Sequence, residues 1–327
     1  MMAIASGEND DSLVLEANFG LGLSLYYMGD LPAAREYLEA AVAAYVTEMH
    51  HANAFLTSQD AGVTARSVLS MVLYLLGETE QALARSREAV DLAARIKHPF
   101  SQAYALGVAA WLDAYRQDSA AMAAHATATI ELSTAQALGF WLVWGSIFAG
   151  RALFDSGERA TGAKHMEEML ATYRGIGSGM VVPFFLTLLA DVEAANGDYD
   201  RSHARLDEAR RLIVEGGEAF MAAEIERLDG EFRRARAAAP GRDDEAVIER
   251  LFLRARDIAH QQDNRLFALR AAASLASLQA TRGDRAAARQ GLAAALDAIP
   301  DRTDTPDLLR ARTLLQSLAA HAPAVAD

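Results

Sequence analysis

A two-residue turn signal, Gly followed by Asp or Glu, recurs through this chain at a near-constant spacing. It stands in "MGDLPAAREYLEAAV" from Met28, "LGETEQALARSREAV" from Leu76, "SGERATGAKHMEEML" from Ser156, "NGDYDRSHARLDEAR" from Asn196 and "RGDRAAARQGLAAAL" from Arg282. The markers are Gly29, Gly77, Gly157, Gly197 and Gly283. Gln117 of "RQDSAAMAAHATATI" fills the gap, 40 residues from both Gly77 and Gly157, and Gly197 follows 40 later. A period of this length marks a solenoid, in which one supersecondary unit is stacked on copies of itself.

Each unit predicts two helices. A stretch of about 15 residues with helical periodicity, such as "LEANFGLGLSLYYM", precedes the marker, and a second amphipathic stretch follows it. The glycine ends the first helix in a left-handed conformation, and the acid starts the second against its positive end. Small residues recur in phase with the marker: Gly22, Ser70, Ala110, Gly150, Ala190 and Ala276 before it, then Ala34, Ala82, Gly162, Ser202 and Ala288 after it. Met122 breaks the second row, and a third row is Ala41, Ala89, Ala209 and Ala295, with Met169 in the fourth unit. Small side chains there let paired helices approach closely.

This small–turn–small–small spacing resembles the tetratricopeptide repeat, lengthened to about 40 residues. The expected fold is all-α: about seven hairpins in a right-handed superhelix plus a C-terminal capping helix, one domain over 1–320 with a frayed tail at 321–327. The sixth unit, from about Gly217 to Gln262, carries an insertion in "RAAAPGRDDEA". The closing helix takes Thr305 as N-cap and Pro306 at its first position.

Composition agrees and narrows the function. Hydrophobic residues make up 52% and aromatics 7%, as in a packed helical protein. With no cysteine there is no disulfide framework, thiolate zinc site or cysteine nucleophile. A net charge of −13, with no block of basic residues, argues against a nucleic-acid partner. The apolar stretches at 137–150 and 180–190 are too short to cross a bilayer, and "MMAIASGENDDS" lacks the features of a signal peptide. The expectation is a cytoplasmic chain without a membrane partner.

Catalytic signatures are missing. Neither lysine, Lys97 nor Lys164, follows a glycine, so there is no phosphate-cradling Gly-Lys-Ser/Thr loop. "GIGSG" at 175–179 reads as a loop between repeats. His50 and His51, beside Glu48, point about 100° apart on a helix and chelate poorly. His125, His165, His203 and His260 read as surface residues, and no G-x-S-x-G phrase positions a serine nucleophile. No cofactor, metal or enzyme activity is expected.

Longer phrases carry a further resemblance. "QDAGVTARSVLSMVLYLLGETEQALARSREAVDLAARIKHPFSQAYAL", "ALGFWLVWGSIFAGRALFDSGE", "AEIERLDGEF" and "TDTPDLLRARTLL" are similar to the C-terminal tetratricopeptide region of bacterial signalling proteins with a STAND-type ATPase. Many of these also carry a class III adenylate/guanylate cyclase or LuxR-type DNA-binding domain. The resemblance implies a regulatory, protein-interacting module whose partners include such ATPase or cyclase domains. The opening "MMAIAS" reads as the last turn of a preceding helix, which fits a piece of a longer protein.

In tetratricopeptide arrays the first helix of each hairpin lines the concave face. Counting back from each marker gives a candidate partner groove of Phe19, Leu23, Tyr26, Tyr27, Ser67, Met71, Tyr74 and Leu75. It continues through Gly107, Trp111, Ala114, Tyr115, Ile147, Arg151, Phe154, Asp155, Thr187 and Asp191. Open rings with arginine suit a peptide; a small effector near Trp111 is the alternative use, and rings packed between repeats the structural one. Val14, Leu15, Phe19 and Leu23 lack a full preceding hairpin to cover them, which predicts a homodimer through the N-terminal hairpin unless Glu8, Asp10, Asp11 and Glu16 make the face polar.

Overall fold

The computed structural model describes residues 11–47, 58–237 and 242–320, and within these it contains fifteen α-helices and no strand. In chain order they are α1 Asp11–Met28, α2 Leu31–Ala44, α3 Ala61–Leu75, α4 Thr79–Ile96, α5 Pro99–Arg116, α6 Ser119–Ala135, α7 Gly139–Asp155 and α8 Arg159–Gly175. Then come α9 Val182–Ala195, α10 Tyr199–Gly216, a 3-10 turn at Ala219–Met221, α11 Ala222–Arg236, α12 Arg242–Gln261, α13 Arg265–Thr281, α14 Arg285–Asp297 and α15 Pro306–Ala320. Consecutive helices pair into seven hairpins, and α15 closes the array against α13 and α14. The expected helix at the opening residues, the His50–His51 pair, the middle of the sixth unit's insertion and the tail lie outside the described residues.

The repeated turn is one hydrogen-bonded motif. At Gly29, its amide donates to Tyr26 O (3.0 Å) and that of Asp30 donates to Leu25 O (2.9 Å). The same pair of bonds recurs at Gly77/Glu78, Gln117/Asp118, Gly157/Glu158, Gly197/Asp198 and Gly283/Asp284. This arrangement satisfies the last helical carbonyls and needs a left-handed residue. The glycines supply it, with φ of 83° at Gly29, and Gln117 adopts it at 57° despite its Cβ. Three of the four aspartates at this position then cap the next helix: Asp30, Asp118 and Asp198 accept from the amides of Ala33, Ala121 and Arg201 at 3.2, 3.0 and 3.2 Å. Glu78 and Glu158 make no such bond, and Glu78 instead reaches Arg35 at 2.6 Å. Asp284 also makes none, and nothing in the structure explains that.

The small residues do the work expected of them. A Cβ on Gly162 would lie 2.5 Å from both Gly150 O and Phe154 N, so α7 and α8 touch backbone to backbone. The closing helix starts as expected, with the amide of Leu308 donating to Thr305 Oγ1 at 3.3 Å.

Two layers result. First helices after α1 are buried over most of their surface: α3 buries every residue from Ala61 to Leu75 except Arg66. Second helices bury one stripe, such as Gly162, Met166, Leu170 and Tyr173 of α8. The inner layer winds tightly enough for the first hairpins to meet the last ones. Gly29 abuts Gln262, with 2.5 Å between a notional Cβ and the amide nitrogen, and Gly77 packs on Ile299 and Pro300. The amide of Glu80 donates to Asp301 at 2.6 Å. No described helix is long and apolar enough to cross a membrane.

Candidate binding cavity

Because the array closes on itself, its concave face is a short lumen, and the middle of that lumen is filled by the chain's own rings. Trp111, only 1% exposed, sits 5.0 Å from Phe184, 5.6 Å from Trp144, 5.7 Å from Phe220 and 6.0 Å from both Tyr26 and Tyr115. These rings come from α1, α5, α7, α9 and the 3-10 turn, which places Phe220 over Tyr26 in a stack at 5.2 Å. The hydroxyls of Tyr26 and Tyr115 share a hydrogen bond of 3.0 Å, flanked by the sulfurs of Met71 and Met221 at 3.9 and 3.8 Å. Burial, then the neighbouring hydroxyl, drives the Tyr26 phenol well above its ordinary pKa.

This corrects part of the expected groove. Phe19, Tyr26, Met71, Tyr74, Trp111 and Phe154 are buried, as are Ser67, Leu75, Gly107 and Ile147. The physical reason is the tight winding, which brings the 3-10 turn and α13 onto faces that a wider superhelix leaves open. A small effector packed against Trp111 has no room, because five rings already occupy its surroundings. Leu23 and Tyr27 are half-buried. At the N-terminal edge Leu15 and Phe19 are also buried within the single chain, so they do not form the uncovered face expected of them.

What stays open lies at the C-terminal ends of α5, α7 and α9. There a cavity of about 630 Å³ is walled by those ends, by α11 and α13, and by the start of α15. Tyr115, Phe184, Met221 and Phe267 form its apolar floor. Of the expected groove residues Tyr115, Arg151 and Asp191 line it, together with Ala114, Asp155 and Thr187. Arg151 bridges Asp155 at 2.9 Å and Asp191 at 2.8 Å, and these two carboxylates outweigh burial to raise its pKa.

The opposite wall is a cluster that the marker count did not reach. Arg270, with its side chain 11% exposed, binds Glu224 at 3.1 Å, Asp307 at 2.9 Å and the carbonyl of Tyr115 at 2.7 Å. Arg227 grips Glu224 through two bonds of 2.8 and 2.9 Å, while Arg310 joins Asp307 and Gln117, both at 2.7 Å. Burial works to raise both carboxylates, but the guanidiniums around them win. Arg227 and Arg270 hold Glu224 below the usual range, and Arg270 and Arg310 do the same for Asp307. The lining thus carries both signs, with guanidinium nitrogens of Arg234 and Arg270 that meet no acceptor. A sequence signal existed: Arg270 interrupts the apolar run "RLFALRAAASLASL", and Glu224–Arg227 and Asp307–Arg310 stand three apart.

Two histidines at the partly exposed surface stand beside aspartates. His125 Nδ1 lies 2.6 Å from Asp113, and the half-buried His203 lies 3.0 Å from Asp229. Arg210 and Arg233 share Asp229, at 2.6 and 2.7 Å.

Among solved structures, the chain is similar to RapI in its apo form, with 12% identity and a TM-score of 0.51, over 93% of this chain and 99% of that one. It is similar also to yeast Tom70, with 12% identity and a TM-score of 0.53, over 94% of this chain and 64% of that one. The fold is a tetratricopeptide-like helical solenoid. No family model matches the chain, and no curated protein does.

Proposed function

We propose that this chain is a non-catalytic regulatory module that takes a protein or peptide segment into the polar cavity of its lumen. The observation that carries this reading is the two-signed lining over an aromatic floor. Arg151 with Asp155 and Asp191 faces Arg227 and Arg270 with Glu224 and Asp307 across about 630 Å³. A peptide presents donors, acceptors and charges of both signs, so it can exchange partners with such pairs without stranding a buried charge. The volume also falls in the range of small-molecule sites, about 300–1,000 Å³, which supports a small polar effector as the second reading. The similarity of the long repeat phrases to bacterial signalling proteins supports a place in a larger cytoplasmic protein, with ATPase or cyclase domains as partners.

Selection of short random peptides displayed against the chain tests this. Enriched peptides are expected to lose at least about tenfold in affinity, about 1.4 kcal/mol, on Arg151→Gln or Asp191→Asn, with melting temperature little changed. Failure to enrich any peptide, or peptides indifferent to both changes, overturns the peptide reading. Protection from thermal unfolding by a polar metabolite, absent in Asp191→Asn, then supports the effector.

A further inference from the structure

The ring of hairpins is closed by a contact that α4 does not supply for itself. Every helix leaves its first amides without partners, and an acid at the N-cap commonly takes one of them. Glu78 stands at that position but makes no cap bond, because Arg35 at 2.6 Å and Gln81 at 2.8 Å hold its carboxylate. Asp301, 221 residues later, accepts from the Glu80 amide at 2.6 Å in its place. Thr303 secures that carboxylate. Its amide donates to Asp301 at 2.8 Å, and its hydroxyl lies 2.7 Å from Asp301 and 3.2 Å from the Glu80 carboxylate.

A second latch explains why the third turn marker is not glycine. Gln117 carries a side chain at a left-handed φ of 57°, where glycine is the least strained residue. That side chain donates to Asp307 at 3.3 Å and accepts from Arg310 at 2.7 Å, both in the first turns of α15. A glycine there would leave the third hairpin without this hold on α15.

The latches hold a body with its own interior. α14, α15 and one face of α13 share an apolar core that includes Leu269, Ala276, Leu292, Ile299, Leu308 and Leu318, apart from the main core. Against the second and third hairpins, α14, α15 and their linker make the hydrogen bonds above and pack Ile299 and Pro300 on Gly77. The bonds of Asp301, Thr303 and Arg310 across this seam are exposed, so water competes for them and their net contribution is small. The seam is therefore weaker than the cores on either side of it. The same body carries Asp307, Arg310 and Leu314 of the polar cavity's wall.

We propose that α14 and α15 gate the polar cavity. With Asp301 seated on α4 and Gln117 on α15, the entrance is narrow; released, the two helices turn outward about the buried Arg270–Asp307 pair and widen it. A ligand that reaches Arg310 competes with Gln117 for it, so binding favours the released state. That the ligand is a peptide rests on the function proposed above, whereas the gate does not.

The chain has no cysteine, so a single introduced thiol reports on its own surroundings. Ser274→Cys places one on the cavity wall at a site 5% exposed, and Ser133→Cys places one on α6 at a site 1% exposed, as the control. In the Ser274→Cys chain, Asp301→Ala is expected to speed alkylation by iodoacetamide at least about tenfold, and Gln117→Gly several-fold. Alkylation of the Ser133→Cys chain should not change with either. Gln117→Gly relaxes the left-handed backbone, so a gain in access there does not come from added strain. Hydrogen exchange should show α14 and α15 losing protection together in the Asp301→Ala chain. If Asp301→Ala fails to fold, as read by circular dichroism, Gln117→Gly decides alone. Unchanged alkylation at Ser274→Cys, equal acceleration at both sites, or lost protection confined to the first turn of α4 overturns the proposal. Failure to find any peptide ligand would sink the function proposed above and leave the alkylation result standing.

Discussion

The middle of the lumen and its polar end are built from the same faces of the same helices, yet one is dry and the other open. Trp111 and Tyr115 lie one helical turn apart on α5, with Trp111 inside the ring cluster and Tyr115 on the floor of the cavity. In the middle, rings from five elements fill the space that a wider superhelix would leave for a partner. At the end, Arg151, Asp155, Asp191, Arg270 and Asp307 stand where rings would otherwise close the gap. Desolvating paired charges against one another returns little net energy, whereas packing rings returns a great deal. The chain therefore places its stability in the middle and leaves the end open. The first way to break this comparison is Trp111→Ala, which removes the ring that touches five others. A loss of about 4–5 kcal/mol is expected in denaturant unfolding, with a lower midpoint and helical content retained up to the transition. A loss below about 1 kcal/mol would mean that the middle is not the structural centre.

The second way addresses the charged wall. Arg270→Ala strands Glu224 with Arg227 alone and Asp307 with Arg310 and Gln117, and it frees the carbonyl of Tyr115. Breaking a buried pair from one side costs about 3 kcal/mol or more at neutral pH. The effect should depend on pH. Glu224 and Asp307 are held low in the fold, so their contribution is full above about pH 4.5 and is lost as pH falls through the depressed folded values. In the variant, burial without Arg270 acts the other way, so acidification costs it less. The stability gap between parent and variant should narrow from pH 7 towards pH 4, and a constant gap would show that Arg270 acts by packing only.

Much of this architecture was legible in the residues. Gly29 and its successors announced a left-handed helix end, Gly162 announced a backbone-close helix pair, and the count of seven hairpins followed from the period. The count also placed Arg151, Asp155, Thr187 and Asp191 on the lumen. It did not show which lumen residues are covered, because that depends on superhelical pitch. Contacts such as Tyr26 with Phe220, or Gly77 with Pro300, join units that no local periodicity relates. Pitch arises from many small differences in packing angle, each a few degrees, which a pattern of small and large residues does not resolve. The same blindness hid the Arg270 cluster, whose members meet across the lumen from α11, α13 and α15.

A smaller change sharpens the boundary itself. Tyr115→Phe leaves the ring in the floor but takes away the partner of the Tyr26 hydroxyl, which then has only the Met71 sulfur at 3.9 Å. An unsatisfied buried hydroxyl costs about 1–2 kcal/mol, well short of the cost of Trp111→Ala. Tyr26→Phe in the same background should restore part of that loss, since removing both hydroxyls leaves no polar group to satisfy. A double variant whose loss is the plain sum of the single ones would show that the two hydroxyls are not coupled.

The smallest effect on stability belongs to Arg151→Gln. Asp155 and Asp191 are partly exposed, the latter 42%, and water can replace a lost guanidinium there. Partly exposed ion pairs contribute about 0–1 kcal/mol, and glutamine keeps a donor of similar reach. The melting temperature should therefore move by no more than a few degrees. This near-neutrality is what separates the two regions, because a residue that adds so little to folding is free to serve a ligand. If Arg151→Gln destabilised the chain as much as Trp111→Ala, the cavity wall would be another part of the core. The open end would then be a structural remainder of the winding. A small change in stability joined to a tenfold or larger loss of peptide affinity would instead show that the charges there are kept for binding.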